Sequence, residues 1–424
     1  LKDYGPGTDN TIEQPANYDP SPFECMCRDV CDVPDEELLS CEEVLDYGRL
    51  PNDKFMINWP NRGNDYYADN LELTHEERDS LHGRAKAFTR SWVYFIQTVG
   101  GFTNLGFADD EFNTDDQFPP MPYIRESRRV VGVDRFYLYD ILDPYEIEQR
   151  PVYKTGIAVG DYPVDHHRKK NPVPKQIEFP GIPSYSVPYG TLIPEVIDGL
   201  IVAEKSISVS NVVNGTTRLQ PVVMQLGQAA GAAAAMSIAQ EIEPRELNVR
   251  DLQTELLDAG VWLMPYMDTD PESIFFRSIQ HVGLSGIMRG EGIPVAWANE
   301  TRFYPDSTLG AEQLSSILSR IEPAYAYSGS GTVSRLNALE ALMPLLDESE
   351  SSEESEASGF MDTDSGVVAY FSDNGWLDGW ITGDEFEPQR PITRGELALI
   401  IDRAFDPFTN DPVEIGFPNP VIDE

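Results

Sequence analysis

The residues best placed for chemistry lie between Val202 and Ala235, in the run VAEKSISVSNVVNGTTRLQPVVMQLGQAAGAAAA. A loop of Asn214, Gly215, Thr216 and Thr217 enters an Ala-rich helix there, and helix N-termini offer unpaired amides and a positive dipole end to anionic or carbonyl groups. Further on, Gly227, Ala229, Ala230 and Gly231 let a backbone or a ligand approach closely. Two readings stay open at this point: a ligand site, or tight packing of helix on sheet with no ligand. Titratable groups gather in two other runs, Asp161-Tyr-Pro-Val-Asp165-His166-His167 and Tyr123-Ile-Arg-Glu-Ser-Arg-Arg129. For any single one of them the plainer role stands beside a catalytic one, with Arg128 and Arg129 pairing with acids and the histidines lining a loop.

These groups need elements to hold them. Gly199-Leu-Ile-Val-Ala203 is a short continuous apolar run that predicts a buried strand, followed by a loop and the Ala-rich helix. Strand, loop and helix in that order are where α/β folds place chemistry. Thr74-His75-Glu76-Glu77 reads as a capping box, and behind it Leu81, Ala85, Phe88, Trp92 and Phe95 recur on one helical face. Between 100 and 195 the pattern is short strands and long loops. A further helix is expected at about Val249 to Ala259, closed by Gly260.

Composition narrows the class. With 31 Lys+Arg against 72 Asp+Glu the chain carries a formal charge of -41 over 424 residues. Nucleic acid is excluded as a default partner, since its densest basic run is only Arg168-Lys169-Lys170, and anionic membranes are disfavoured too. Such a surface repels itself in dilute buffer and is more comfortable in high salt, so a marine or halophilic source and an ordinary acidic secreted protein are both expected readings. At 41% apolar the chain can bury a sizeable core. All four cysteines, Cys25, Cys27, Cys31 and Cys41, cluster together; the spacing leaves disulfides, free thiols and a metal or cluster site open, with disulfides or thiols preferred. The uncharged run Leu219 to Gln240 reads as a buried helix, not a membrane span, because Gln220, Pro221, Gln225 and Gln228 interrupt it. The chain begins with Leu1 and shows no signal segment, so an upstream portion is expected.

After the Val249 helix the sequence repeats itself. Met267-Asp-Thr-Asp270 returns as Met361-Asp-Thr-Asp364, Leu284-x-Gly286-x-x-x-Gly290 as Leu377-x-Gly379-x-x-x-Gly383, and Phe303-x-Pro305-x-x-x-Leu309 as Phe386-x-Pro388-x-x-x-Ile392. The acid pairs Asp268 with Asp270 and Asp362 with Asp364 read as turn and cap residues, and no metal site is expected. The boundaries predicted are 1–240 for the first domain, 241–345 for a helical segment with the first repeat, 346–359 for an acidic Ser/Glu linker, 360–408 for the second repeat and 409–424 for a frayed tail.

Several motifs together carry a resemblance. Pro188-Tyr-Gly-Thr-Leu-Ile-Pro194, the run from Val202, Asn58-Trp-Pro60 with Gly63-Asn-Asp-Tyr-Tyr67, and Tyr123 to Arg129 resemble the FAD-dependent oxidoreductases often labelled xanthan-lyase-like, which have a glutathione-reductase-type FAD domain. The resemblance covers roughly residues 1 to 265. It implies an α/β fold with a partial FAD/NAD(P)-binding-like domain, followed by small, mostly helical repeats. It also implies FAD as cofactor, with Ala203, Glu204, Asn214, Gly215, Thr216, Thr217, Arg218 and Gly227 as its neighbours. A flavin enzyme of this kind needs a base and an anion clamp, so His166 or His167 is expected as the base and Arg125, Arg128 or Arg129 as the clamp.

Two departures stand out. Many members have Gly-Arg where this chain has Glu204-Lys205, and the G-x-G-x-x-G fingerprint is absent; the family carries it before the point where this chain starts, so the chain is read as a fragment. The repeats resemble S-layer homology modules, which implies a cell-wall polysaccharide partner, although only two copies are visible and the first has Gly310-Ala311 where the second has Thr393-Arg394. The expected function is therefore oxidation of a carbohydrate-derived or other small polar substrate outside the cytoplasm, the competing reading being a surface scaffold built on a degenerate flavoprotein domain. A lyase acting on polysaccharide rests on the family's label alone.

Overall fold

Thr74 and Glu77 close on each other as their spacing predicts: the Glu77 amide donates to Thr74 Oγ1 at 3.3 Å and the Thr74 amide to Glu77 Oε2 at 2.8 Å. The computed structural model describes residues 1–32, 38–59, 62–126, 128–166, 179–346 and 359–419. His167, the Arg168-Lys169-Lys170 run, the acidic stretch 347–358 and the last five residues lie outside the described residues. The chain forms two compact units, one of Leu1–Arg125 and one holding the described residues from Glu126 onward.

In the first unit, β1 (Lys2–Asp3), β2 (Arg49–Leu50), β3 (Lys54–Phe55) and β4 (Leu105–Gly106) make a small antiparallel sheet in the order β2-β3-β1-β4. Helix α1 (Cys41–Tyr47) opens on a second capping box, Ser40 with Glu43. Helix α2 (His75–Thr98) runs on from Thr74 and buries Leu81, Trp92, Phe95 and Ile96. The cysteine cluster resolves into two disulfides, Cys25–Cys31 and Cys27–Cys41. Gln97, fully buried, is satisfied by the Ile12 amide and by the carbonyls of Asn10 and Leu105.

The second unit begins with α3 (Leu138–Leu142). Strands β5 (Gly156–Gly160) and β6 (Tyr185–Pro188) pair antiparallel, with Gly160 opposite Tyr185. Helix α4 (Asn211–Thr217) leads into α5 (Gln220–Gln240), and α6 (Val249–Asp258) ends at Gly260, whose φ of +79° supplies the expected left-handed stop. Then come α7 (Phe276–Leu284), the hairpin β7 (Glu291–Ile293) and β8 (Glu300–Arg302), α8 (Ala311–Ile321), α9 (Arg335–Leu342), α10 (Gly366–Asp373) and α11 (Arg394–Phe405). The mixture of helices and small sheets is compatible with an α/β fold, and all strand pairs described are antiparallel.

Three expectations change. The run Gly199–Ala203 is not a strand: Gly199 sits at φ +65°, Leu200 is exposed, and its ladder is a single bond from the Val202 amide to the Leu192 carbonyl at 2.8 Å. An apolar run becomes a strand only where a neighbouring edge accepts its backbone, and here no described strand lies alongside. Helix α5 is buried on one stripe alone, Val222, Leu226, Ala229, Ala233 and Ser237, while Met224 and Ile238 on the other side are exposed. By length and composition it could cross a membrane, yet that stripe packs on β5 and α6 as a core helix would. Finally, residues 409–419, expected to fray, are docked: Asp411 meets Lys154 at 2.6 Å and the Phe417 amide meets Asp134 at 2.7 Å.

The two copies seen in sequence share hydrogen bonds. Asp268 receives the amides of Phe303 and Tyr304, and Asp362 those of Phe386 and Glu387, so the first acid of each pair is a turn residue. A third stretch joins them that the sequence reading missed. Leu309 donates to the Ile392 carbonyl, Ile392 to Val333 and Val333 to Leu309, a closed ring just before α8, α9 and α11. The signal was present, since Val333-Ser334-Arg335 parallels Ile392-Thr393-Arg394. Arg335 and Arg394 then play matching parts, donating to the carbonyls of Phe386 and Phe303 at 2.8 and 2.7 Å.

Candidate functional site

Helix α4 is short because its neighbours close it. Ser210 caps its start by accepting from the Val213 amide at 3.3 Å, and Leu219 with Pro221 begins a new helix two residues after its end. Val213 to Thr217 have essentially no exposed surface, so the loop expected from sequence is instead the buried body of a helix.

The segment Asp161–His166 covers it. Thr216 Oγ1 donates to the Tyr162 carbonyl and lies 2.8 Å from the Tyr185 hydroxyl. Arg218, nearly buried, donates to Asp165 Oδ2 at 2.9 Å. At Gly215 a side chain would not fit: a Cβ there would stand 2.7 Å from His166 Nε2 and 2.9 Å from the Asp165 carbonyl. Glycine is required here for close approach. Thr217 returns its hydroxyl to the Val213 carbonyl at 3.2 Å.

His166 is held at both ring nitrogens. Nε2 lies 3.2 Å from the Val212 carbonyl, which can only accept, so that nitrogen carries a proton. Nδ1 lies 3.2 Å from Glu126 Oε1, and Glu126 Oε2 accepts from Asn211 Nδ2 at 2.8 Å. The hydrogen bond from His166, aided by Arg129 and Arg218, holds the Glu126 carboxyl below the usual range against its partial burial. These two contacts orient the His166 ring between the Val212 carbonyl and the Glu126 carboxylate. Glu126 and Asn211 were missed as site residues, although Glu126 stood within the run Tyr123 to Arg129.

The structure gathers Gly215, Thr216 and Arg218 around His166 and Asp165, with Asn214 and Thr217 inside the same helix. It does not add Arg125, which belongs to the first unit and is bound there to Asp65 at 2.6 Å and Asn58 at 3.3 Å. His167 lies outside the described residues. Ala203 precedes a single helical turn whose first residue, Glu204, has φ +67° and pairs with Lys205 at 3.4 Å; this turn packs on α5. Gly227 lies on the open side of α5, with nothing within 4 Å of a Cβ placed there.

Asn214 stands apart from its neighbours. It is fully buried, and neither its amide nitrogen nor its oxygen has a hydrogen-bond partner. Leaving both ends of a buried amide unmade costs about 1–3 kcal/mol each, so Asn214 keeps hydrogen-bonding capacity that its surroundings do not use. Thr216 and Thr217 have spent their hydroxyls within the protein, and Arg218 directs Nη2 to Asp165. Among the described residues no group of His, Cys, Asp and Glu is arranged to hold a metal ion.

A family model described as FAD dependent oxidoreductase matches residues 3–256, more than half of the chain. No curated protein matches it. That match spans both the first unit and the α4–α5 region built above, and the chain belongs to the FAD-dependent oxidoreductase family, with FAD as its cofactor.

Proposed function

We propose that this oxidoreductase acts on a carbohydrate-derived or other small polar substrate and that Asn214 marks where the protein meets its flavin. The buried, unpartnered amide of Asn214 carries this reading, because nothing in the protein itself uses it. FAD, when bound, supplies the acceptor for the electrons removed from substrate. The chain's own residues do the rest. Asn214 offers one donor and one acceptor, Thr216 and Arg218 pin α4 beneath Asp161–His166, and the Glu126–His166 pair fixes that cover. Ala203, Glu204 and Gly227 extend the proposed cofactor wall along α5. Arg125 and His167 stay as proposed substrate-side groups.

The test is a visible spectrum after incubation with FAD and removal of free cofactor, for the natural chain and for Asn214→Leu. Retained flavin bands that fall at least tenfold in the folded variant support the reading. Equal retention in the two overturns the assignment of Asn214.

A second activity has its own observation. A cavity of about 300 Å³ in the second unit is lined by Arg289, Arg320 and Arg394, with Glu312 as the acid in its wall. Burial first, then repulsion from Arg289 and Arg394, lowers the pKa of Arg320. Three guanidiniums without an ion pair among the described residues, in so acidic a chain, favour an anionic partner, and we take this as support for an acidic cell-wall polysaccharide. Co-sedimentation with an acidic but not a neutral wall polysaccharide, lost in Arg289→Gln with Arg320→Gln, is the expected result; equal binding of both polymers counts against it. The two disulfides support a location outside the cytoplasm.

A further inference from the structure

The turn between β7 and β8 carries an aromatic ring out of the protein. Trp297 is 73% exposed, and of the chain's six tryptophans no other is left so open. Its ring stands 5.7 Å from that of Tyr162, tilted by 53°. One exposed apolar residue by itself needs no explanation. This one is held out by a turn built around a buried group. Asn299 is fully buried, and its Oδ1 accepts the amides of Val295 at 2.8 Å and Ala296 at 3.0 Å, while its own amide donates to the Asp161 carbonyl at 2.9 Å. Within the turn Ala296 has φ +90°, a conformation costly for any residue with a Cβ.

The turn rests on the cover of the candidate site. Tyr162 belongs to Asp161–His166; its carbonyl accepts from Thr216, and Asp165 in the same segment pairs with Arg218, so the two rings are tied to α4. Asp161, next to Tyr162, is exposed and has neither an ion pair nor a side-chain hydrogen bond among the described residues. A pyranose with equatorial hydroxyls presents a face of axial C–H groups and a rim of O–H donors. The face packs on an aromatic ring, and the rim needs acceptors such as a carboxylate. Two rings span one or two sugar units and fall well below the area of about 1,000 Å² that a specific protein interface buries. Neither 294–299 nor 161–166 contains Lys or Arg, so the chemistry suits a neutral sugar.

We propose that Trp297 and Tyr162 form a stacking platform for a neutral pyranose ring, with Asp161 accepting from its hydroxyls. The proposal rests on the carbohydrate arm of the function proposed above, and it names the residues that hold such a substrate. The platform sets the sugar against the segment that covers α4. It is distinct from the arginine-lined cavity, whose charge calls for an anion.

Tryptophan fluorescence of the full chain, titrated with cellotetraose as the probe, tests this without cofactor or turnover. Binding should move the emission to shorter wavelength and shield Trp297 from acrylamide, a neutral quencher that the chain's charge does not repel. In Trp297→Ala both signals should disappear, and affinity measured by calorimetry should weaken by at least about tenfold, with Tyr162→Phe staying close to the natural chain. A natural chain that does not bind cellotetraose overturns the platform. Undiminished affinity in Trp297→Ala overturns it too, while leaving carbohydrate as the substrate. Binding that depends on Trp297, without reduction of bound flavin by the sugar, supports the platform and counts against the sugar as substrate. Should Trp297→Ala fail to fold, protection from acrylamide in the natural chain decides, because Trp297 is the tryptophan most open to the quencher.

Discussion

Asp268 and Asp362 hold two turns in the same way, each carboxylate receiving two consecutive backbone amides at 2.8 and 2.7 Å. In both turns the second of those residues, Tyr304 or Glu387, is left-handed at φ 56°. Two bonds to one charged acceptor offset that backbone cost. Asp268→Ala should lower stability by about 2 kcal/mol in urea unfolding, and Asp268→Asn by less because one acceptor survives. A melt of Asp268→Ala that overlays the natural chain would remove the turn from the account.

Without cofactor, Asn214 is a liability. Replacing it by Leu, close in size and apolar, should leave the FAD-free protein as stable or up to about 2 kcal/mol more stable. With FAD present the order should reverse. Thermal unfolding of both proteins, with and without FAD, measures this; a variant destabilised in both states would mean that Asn214 serves the fold.

Gly215→Ala sets two effects against each other. Alanine favours the helix by about 1 kcal/mol, but its methyl group would press on the His166 ring and the Asp165 carbonyl. Since Glu126 and Val212 hold that ring, the clash should win by about 1–2 kcal/mol. His166→Ala in the same chain should relieve it, giving a non-additive double-mutant cycle.

Glu126 predicts an acid limb. Its folded carboxyl is depressed below the ordinary 4.5, chiefly by the His166 hydrogen bond, so its stabilising contribution is present above that value and lost as pH falls through the depressed one. Stability should therefore fall on acidification below about pH 4.5 less steeply in Glu126→Gln than in the natural chain. Parallel curves would assign the acid limb to other carboxylates.

Net charge of -41 predicts a salt response. Raising ionic strength from about 0.01 M to 1 M shortens the Debye length from about 30 to 3 Å, which should relieve repulsion and raise the melting temperature. A falling melting temperature in sodium chloride would mean that attractive surface pairs, such as Lys2 with Asp109, outweigh the repulsion.

What the sequence by itself determined is whatever is settled within a few residues. Thr74 with Glu77 and Gly260 after α6 could be read because a cap and a left-handed stop involve partners three or four positions apart. The FAD family could be read as well, since its motifs are contiguous strings. Tertiary structure alone decided that Gly199–Ala203 lacks a strand partner, that α5 buries one stripe, that α4 is covered by His166 and that residues 409–419 return to Asp134. The reason is reach. The bond from Phe417 to Asp134 joins residues 283 apart in the chain, and no spacing pattern encodes which buried carboxyl waits at such a distance.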